Sequence, residues 1–166
     1  TPKEFNPLKV RLARAASIAY VALAKAAKAE GAGTLQLNSG YRSYVSQKAI
    51  HSSDVARFGL KVGENLAARP GYSEHQTGLA ADVASRAQGC TIKVCFGTTK
   101  IGKWLAKNSW KYGFIVRYPN GKTAITGYQY EPWHLRFVGV PLATEMHNLG
   151  ETVLESYWGL TPAPTY

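Results

Sequence analysis

Acidic residues are scarce in this sequence. Asp and Glu together number 10 against 20 Lys and Arg, which gives the 166 residues a formal net charge of +10. Only two of the acids are aspartates, Asp54 and Asp82. Each carboxylate in a structured stretch is therefore worth examining for a chemical role.

Long apolar runs are also absent. No stretch approaches the roughly 20 residues that cross a bilayer, which argues against a membrane-spanning protein. The residues that follow Thr1 do not contain the apolar core of a signal peptide. A mature chain from which a signal peptide has been removed would show the same pattern. With 45% hydrophobic and 18% charged residues, the chain is too apolar to be disordered, and we expect a single domain over residues 1–166.

Cysteine occurs only twice, at Cys90 and Cys95. The spacing does not fit a CxxC redox pair, and no further cysteine is present to complete a thiolate metal site. We favour a disulfide that closes a small loop, which requires an oxidising compartment. Two buried free thiols are the alternative. The sequence also contains neither a GxSxG nucleophile elbow nor a phosphate-binding P-loop.

The apolar residues follow both helical and strand periods. A period of 3.6 residues predicts helices over residues 6–31, with Asn6 as its N-cap, and over residues 43–58, 63–68, 100–109 and 141–157. Alternation predicts strands over residues 35–38, 78–85 and 133–138, and Asn120-Gly121 predicts a hairpin that joins residues 113–118 to 123–128. Because strands and helices do not alternate regularly along the chain, the expected fold class is α+β.

Histidine and carboxylate residues occur together in two segments, the first of which runs from Ser73 to Asp82 (SEHQTGLAAD). His75 and Asp82 are seven residues apart, which corresponds to ~10 Å along a helix and to more than ~20 Å along a strand. Neither geometry lets both side chains reach one metal ion. The chain must therefore bend between them, and Gly78 is the residue that permits the bend.

The second segment covers residues 131–134 (EPWH). Strand alternation places His134 and Arg136 on one face of the predicted strand. Glu131 has the wrong parity for that face in a regular strand. Pro132 interrupts the strand, however, and a local kink there would bring Glu131 round to the side of His134.

Together the two segments are suited to a metal ion. Two histidines and one aspartate (His75, His134 and Asp82) would form a three-ligand zinc site with an open position for water. Glu131 would be the general base that takes a proton from that water. The same ligands would also suit iron. The alternative is that each histidine is an ordinary structural residue.

The motifs resemble those of the VanY-type zinc D-alanyl-D-alanine carboxypeptidases, in the wider group that includes lysostaphin-like peptidases and the hedgehog signalling domain. The resemblance depends on three motifs: SxHxxGxAxD from Ser73 to Asp82, ExxH at residues 131–134, and SGYRS at residues 39–43 followed by Gln47. It implies a small, mostly antiparallel sheet that carries the metal site and is flanked by helices.

The resemblance also implies a role for individual residues. Zinc would be bound by His75, Asp82 and His134, and Glu131 would be the catalytic base. The remaining motif residues would act on the substrate.

Arg42 would lie near the scissile carbonyl and stabilise the developing oxyanion; a surface salt bridge is the alternative. Ser73 and Gln47 would contact the substrate, the alternatives being a turn-capping serine and a solvated helix residue.

The implied reaction is hydrolysis of the D-Ala-D-Ala bond at the end of a peptidoglycan stem peptide. The alternatives are an L,D-carboxypeptidase, a peptidoglycan endopeptidase or endolysin, and a metal-bearing module that binds the wall without catalysis. Scattered cations and the absence of a recognisable nucleic-acid module favour anionic cell-wall polymers over nucleic acid as partners. We therefore expect a monomeric, extracytoplasmic, wall-associated protein of bacterial or phage origin.

Overall fold

The arrangement of helices and strands confirms the predicted α+β class. The computed structural model describes residues 1–162. Their helices are α1 (Arg14–Ala29), α2 (Tyr44–Phe58), α3 (Leu60–Leu66), α4 (Lys100–Asn108), α5 (Thr123–Thr126), α6 (Val140–Asn148) and α7 (Leu154–Tyr157). Their strands are β1 (Gln36–Ser39), β2 (Ala80–Ala84), β3 (Phe114–Val116) and β4 (His134–Phe137). Within the described range, no helix is both long enough and apolar enough to cross a membrane.

The strands form one antiparallel sheet in the order β1-β2-β4-β3. The register between the two central strands places Asp82 opposite His134 and Ala80 opposite Arg136. Residues that lie directly opposite each other in an antiparallel pair project from the same face of the sheet. The pairing of β2 with β4 therefore joins the two chemical segments, although 52 residues separate Asp82 from His134.

The main apolar core joins α1, α4 and one face of the sheet. Its fully buried members include Tyr20, Leu23, Leu37, Val83, Ile101, Leu105 and Leu135. Alternation along β4 places Leu135 in this core and leaves His134 and Arg136 on the other face, as predicted. One face of the sheet is thus packed against helices, and the other carries polar side chains.

The predicted second helix is confirmed, and the third is displaced. α2 begins after Ser43, whose side chain accepts a hydrogen bond from the backbone N–H of Ser46 at 3.2 Å. It ends at Phe58, the following Gly59 has a φ of +80°, and α3 begins at Leu60 rather than at residue 63. The positive φ turns the chain sharply, so α3 can start without a loop.

The first predicted helix is wrong over its N-terminal part, because α1 begins at Arg14 and not at residue 6. Asn6 closes a tight loop instead: its side chain accepts from the Val10 N–H at 2.7 Å and donates to the Val10 carbonyl at 2.8 Å. The Ala13 N–H donates to the Gly78 carbonyl at 2.9 Å. In a continuous helix the N–H groups of Val10 and Ala13 would donate to backbone carbonyls four residues earlier. Here they donate to the Asn6 side chain and the Gly78 carbonyl, so these residues do not extend α1.

The predicted hairpin around Asn120-Gly121 is also wrong. Residues 123–126 form the short helix α5, and β3 pairs with β4 instead, with Val116 opposite Leu135. Pairing with β4 places β3 next to Leu135, which is fully buried in the core. A two-stranded hairpin exposed to solvent would lack this packing.

The last predicted helix is interrupted. α6 ends at Asn148 and α7 begins at Leu154. Gly150 has a φ of +68°, and the Glu151 carboxylate accepts from the N–H groups of Thr152 and Val153 at 2.7 and 2.8 Å. The carboxylate thereby satisfies two backbone donors just before α7, which stabilises the break between the two helices.

The two cysteines lie in the segment between β2 and α4. The structure joins Cys90 to Cys95 by a disulfide bond. Within this loop Cys90 and Ile92 adopt positive φ values of 57° and 49°.

Candidate metal centre and active-site cleft

A sharp bend brings His75 next to Asp82. His75 lies in a 3-10 turn (Glu74–Thr77), and Gly78 follows it with φ +71° and ψ 8°. This left-handed conformation costs glycine little, and a Cβ atom at Gly78 would lie 3.0 Å from the Ala13 nitrogen. The predicted bend at Gly78 is confirmed, and it folds the 3-10 turn back over the start of β2.

The ring nitrogens of His75 and His134 converge on the Asp82 carboxylate. His75 Nε2 lies 3.3 Å from Asp82 Oδ2, and His134 Nδ1 lies 3.1 Å from Asp82 Oδ1. One ligand atom from each residue lies within 4.8 Å of the other two, and all three residues are buried. Two imidazole nitrogens and a carboxylate oxygen are a donor set that zinc accepts, so these residues fit the predicted metal.

Both imidazole rings are held by an acceptor at their second nitrogen. His75 Nδ1 lies 2.6 Å from the Gly40 carbonyl oxygen, and His134 Nε2 lies 3.4 Å from Glu74 Oε2. A proton on each of these nitrogens leaves a lone pair on the nitrogen that faces Asp82, as metal binding requires. Gly40 must be glycine here, because a Cβ atom would lie 2.4 Å from the Arg11 carbonyl oxygen.

The site strongly favours positive charge. Burial alone would lower the pKa of His134, but its hydrogen bonds to Asp82 and Glu74 and the charge of Glu131 raise it to about 10. Burial opposes ionisation of Asp82, yet His75 and His134 hold its pKa well below the ordinary value. Buried carboxylates that raise the pKa of a neighbouring imidazole in this way also attract a divalent cation.

Glu131 reaches the same side of the sheet as His134. The residues between them form a turn in which the His134 N–H donates to the Glu131 carbonyl at 3.1 Å. Glu131 Oε2 then lies 3.7 Å from His134 Nδ1. Burial raises the pKa of the Glu131 carboxyl to about 7, a value suited to a group that accepts and returns a proton at neutral pH. The kink predicted at Pro132 thus places Glu131 beside the three candidate ligands.

Arg42 enters the site from the loop between β1 and α2. Its Nη2 donates to Asp82 Oδ2 at 2.8 Å, and its Nε donates to Ser39 Oγ at 3.0 Å. Gln47 Oε1 accepts from Arg42 Nη1 at 3.4 Å, while Gln47 Nε2 donates to the Ala68 carbonyl at 2.7 Å. Gln47 is only 1% exposed, so it is not a solvated helix residue, and the Arg42 ion pair lies in the site rather than on an outer surface.

A cleft of about 550 Å³ surrounds these residues. Ser73 lines it, is buried and does not cap the 3-10 turn with its side chain. The other lining residues include Ile50, Asp54 and Arg57 of α2, Ile92 of the disulfide loop, and the aromatic residues Tyr118, Tyr128 and Trp133. The cleft therefore offers both charged and apolar contacts to a peptide.

Glu74 is a site residue that the sequence patterns did not reveal. Its side chain is 13% exposed and contacts His134, Arg117 and Arg136. Burial opposes its ionisation, but these neighbours hold the pKa of Glu74 at about 2. Two local features of the sequence pointed to Glu74: the small number of acidic residues in the chain and its position next to His75.

The family model described as VanY, D-alanyl-D-alanine carboxypeptidase, matches residues 9–140. That span contains the three candidate ligands, Glu131 and Arg42. The chain belongs to the VanY family. The predicted resemblance is thereby confirmed.

Individual relatives agree with this assignment. A Bacillus subtilis (strain 168) protein named "Putative carboxypeptidase YodJ" is 48% identical over 133 residues, which are 80% of this chain and 48% of the relative. The chain thus spans about half the length of that curated relative. The LdcB LD-carboxypeptidase structure aligns with a TM-score of 0.82 at 45% identity, covering 90% of this chain and 69% of LdcB.

A third relative carries the metal. A variant of the vancomycin-resistance D,D-pentapeptidase VanY of a VanB-type cassette, solved in complex with Zn(II), aligns with a TM-score of 0.75 at 36% identity. The alignment covers 89% of this chain and 83% of that one. The VanY-family chain described here shares its fold with both a D,D- and an L,D-directed enzyme.

Proposed function

We propose that this chain is a zinc-dependent carboxypeptidase that hydrolyses the D-Ala-D-Ala bond at the end of peptidoglycan stem peptides. The observation that carries the proposal is the convergence of His75, Asp82 and His134 within 4.8 Å, with Glu131 3.7 Å from His134. Family membership and the Zn(II) complex of a VanY relative support it. The described residues form one four-stranded sheet, and its packing against the main core supports a single catalytic domain.

His75, Asp82 and His134 would hold the zinc ion. Zinc bound there supplies Lewis acidity to a substrate carbonyl and to a water molecule. The three residues are 3–5% exposed, and electrostatic interactions between buried groups are stronger than those between solvated ones.

Glu131 would move the proton. Its carboxylate takes a proton from the attacking water and returns it to the nitrogen of the departing D-Ala. A carboxyl whose pKa burial has raised to about 7 is effective in both directions near neutral pH.

Arg42 would stabilise the negative charge that develops on the carbonyl oxygen. Its guanidinium is already fixed by Ser39, Gln47 and Asp82, so little reorganisation is needed when the charge appears. Ser73 and Gln47 both line the cleft, and we assign them to contacts with the terminal carboxylate of the substrate. The Ser73 hydroxyl can donate to it, and the Gln47 amide carries a second N–H besides the one that its bond to Ala68 uses.

The partners and location follow from the proposed substrate. A chain with a net charge of +10 is attracted to stem-peptide carboxylates and to anionic wall polymers. The Cys90–Cys95 pair requires an oxidising environment, which supports an extracytoplasmic location. We assign the enzyme to the cell wall because its proposed substrate lies there, and we expect it to act as a monomer.

Mass spectrometry of a synthetic stem pentapeptide ending in D-Ala-D-Ala tests the proposal. Incubation is expected to remove one alanine, a chelator to stop the reaction and added zinc to restore it. His75→Ala is the matched control, since it removes one ligand. A zinc-loaded sample that leaves the pentapeptide, the tetrapeptide and cross-linked wall intact would instead favour a non-catalytic binding module.

An L,D-carboxypeptidase is the second candidate. The observation that favours it is the 45% identity to the LdcB LD-carboxypeptidase, which exceeds the 36% identity to the VanY pentapeptidase. The two activities differ in the residue that precedes the cut bond. Parallel assays with a tetrapeptide ending in L-Lys-D-Ala and with the pentapeptide separate them by which substrate loses alanine faster.

A further inference from the structure

One of the two histidines is oriented by a charged group. Glu74 Oε2 lies 3.4 Å from His134 Nε2, on the far side of the ring from Asp82. The ring nitrogen that faces Asp82 is Nδ1. By contrast, His75 is held through Nδ1 by the neutral Gly40 carbonyl and faces Asp82 with Nε2. The two imidazoles therefore present opposite nitrogens, and only His134 has a carboxylate behind it.

A carboxylate in this position has a defined effect on an imidazole. It accepts the Nε2–H, so the neutral ring carries its proton at Nε2 and its lone pair at Nδ1. The negative charge also makes Nδ1 a stronger donor to a metal and restrains rotation of the ring. A carbonyl acceptor fixes the tautomer as well, but without the added charge.

The orientation of Glu74 is itself fixed by two guanidinium groups. Arg117 Nε donates to Glu74 Oε1 at 2.7 Å, and Arg136 Nη1 donates to the same oxygen at 2.9 Å. Both cations thus bind Oε1, which leaves Oε2 directed at His134. Arg136 lies on the same face of β4 as His134, so the strand that supplies the ligand also supplies one of the groups that hold its acceptor.

Arg117 is anchored in turn by the C-terminal part of the chain. Its Nη1 and Nη2 donate to the two carboxylate oxygens of Glu155, at 2.9 and 2.6 Å. Arg117 is 8% exposed, and two parallel bonds of this kind define an orientation more strictly than one. Glu155 belongs to α7, which lies beyond residue 140, the end of the family match.

We propose that Glu74 is the positioning residue of His134, holding its ring with Nδ1 toward the metal, and that Arg117 and Glu155 hold Glu74 in place. The inference depends on the proposed zinc site. It connects α7, which contributes no ligand, to the metal centre through a continuous chain of charged hydrogen bonds from Glu155 to His134.

Zinc affinity, measured by competition with a chromogenic chelator, tests the proposal without using catalysis. Glu74→Ala is expected to weaken zinc binding by about 10- to 100-fold, the usual effect of losing a partner behind a ligand. Glu74→Gln keeps an acceptor oxygen for His134 Nε2–H and is expected to recover part of the loss. Glu155→Gln, which weakens the hold on Arg117, is expected to cause a smaller loss than Glu74→Ala.

A second measurement separates positioning from general stability. The visible absorption bands of the Co²⁺-substituted protein report ligand geometry, and they are expected to shift in Glu74→Ala and to return toward the parent spectrum in Glu74→Gln. Glu64→Gln is the matched control: Glu64 is 15% exposed and also pairs with an arginine, Arg69, but it lies on α3, and neither residue lines the cleft around the ligands. It is expected to change neither zinc affinity nor the spectrum.

The outcomes are distinguishable. If both Glu74 variants bind zinc within twofold of the parent and keep its cobalt spectrum, Glu74 does not position His134. If the Glu74→Ala variant fails to fold, the zinc affinities and cobalt spectra of Glu74→Gln and Glu155→Gln are compared with those of Glu64→Gln. Values equal to those of the Glu64→Gln control would show that Glu74 does not position His134. A parent protein that binds no zinc would overturn the proposed function itself, and the inference with it.

Discussion

Replacing Glu131 by glutamine tests the assignment of the proton-transferring group most directly. The substitution keeps the shape of the side chain but replaces the carboxylate, which can accept a proton, with a neutral amide, which cannot. Glu131 is not among the three residues whose ligand atoms converge within 4.8 Å, so the variant is expected to bind zinc normally. His75→Ala, which removes a ligand, is expected to lose zinc and activity together.

The expected loss of turnover follows from what surrounds Glu131. General acid–base catalysis contributes about 10²- to 10⁴-fold, or about 2.7–5.5 kcal/mol of barrier. The other carboxylates in contact with His134 are already engaged: Asp82 with Arg42 and both histidines, and Glu74 with two arginines. Because neither is available to replace Glu131 as proton acceptor, we expect a loss toward the upper end, about 10³- to 10⁴-fold in kcat.

The assay is release of D-Ala from the stem peptide, with zinc content measured on the same samples. The fold is expected to be at least as stable as that of the parent, since the substitution removes a buried carboxylate that lies near two others. Turnover by Glu131→Gln within tenfold of the parent, at full zinc occupancy, would refute the role of Glu131. A variant that loses its zinc would instead place Glu131 among the ligands.

Three further predictions concern stability and the metal. Leu135→Ala, at a fully buried core position, is expected to cost about 2–5 kcal/mol in urea unfolding; a cost below 1 kcal/mol would contradict the described core. Gly78→Ala, at φ +71° and 3.0 Å from the Ala13 nitrogen, is expected to cost about 1–2 kcal/mol and to weaken zinc binding by displacing His75, whereas unchanged affinity would show that the bend is not needed. Opening the Cys90–Cys95 disulfide, in a variant with both cysteines replaced by serine, is expected to lower the free energy of unfolding by about 2 kcal/mol for so short a loop. Calorimetry measures this loss, and an unchanged Tm argues against it.

The local features of the site were predictable because they depend on neighbouring residues. The bend at Gly78 and the kink at Pro132 follow from the conformational properties of those two residues. The shared face of His134 and Arg136 follows from strand alternation, and the start of α2 follows from the side chain of Ser43. Each of these involves interactions within a few positions along the chain.

Two of the wrong predictions were overruled by partners far along the chain, whereas the break in the last predicted helix came from Gly150 and Glu151 within it. The helical period over residues 6–13 was overruled because Asn6 closes a loop on Val10 and Ala13 donates to Gly78. The Asn120-Gly121 turn forms no hairpin because β4, from later in the chain, pairs with β3. In both cases hydrogen bonds to residues distant along the chain replaced the bonds that the local preference would have formed.

By itself, the sequence determined the α+β class, the family motifs and the residues able to bind a metal and move a proton, because these are properties of residue types at short spacings. Only the tertiary structure decided which nitrogen of each histidine faces the metal position. It also decided that Glu74 contacts His134 on the opposite side of the ring and that Arg117 and Glu155 hold Glu74 there. Those contacts join residues 43, 60 and 38 positions apart. No periodicity along the chain relates such residues; the folded sheet and the packing of α7 bring them within hydrogen-bonding distance.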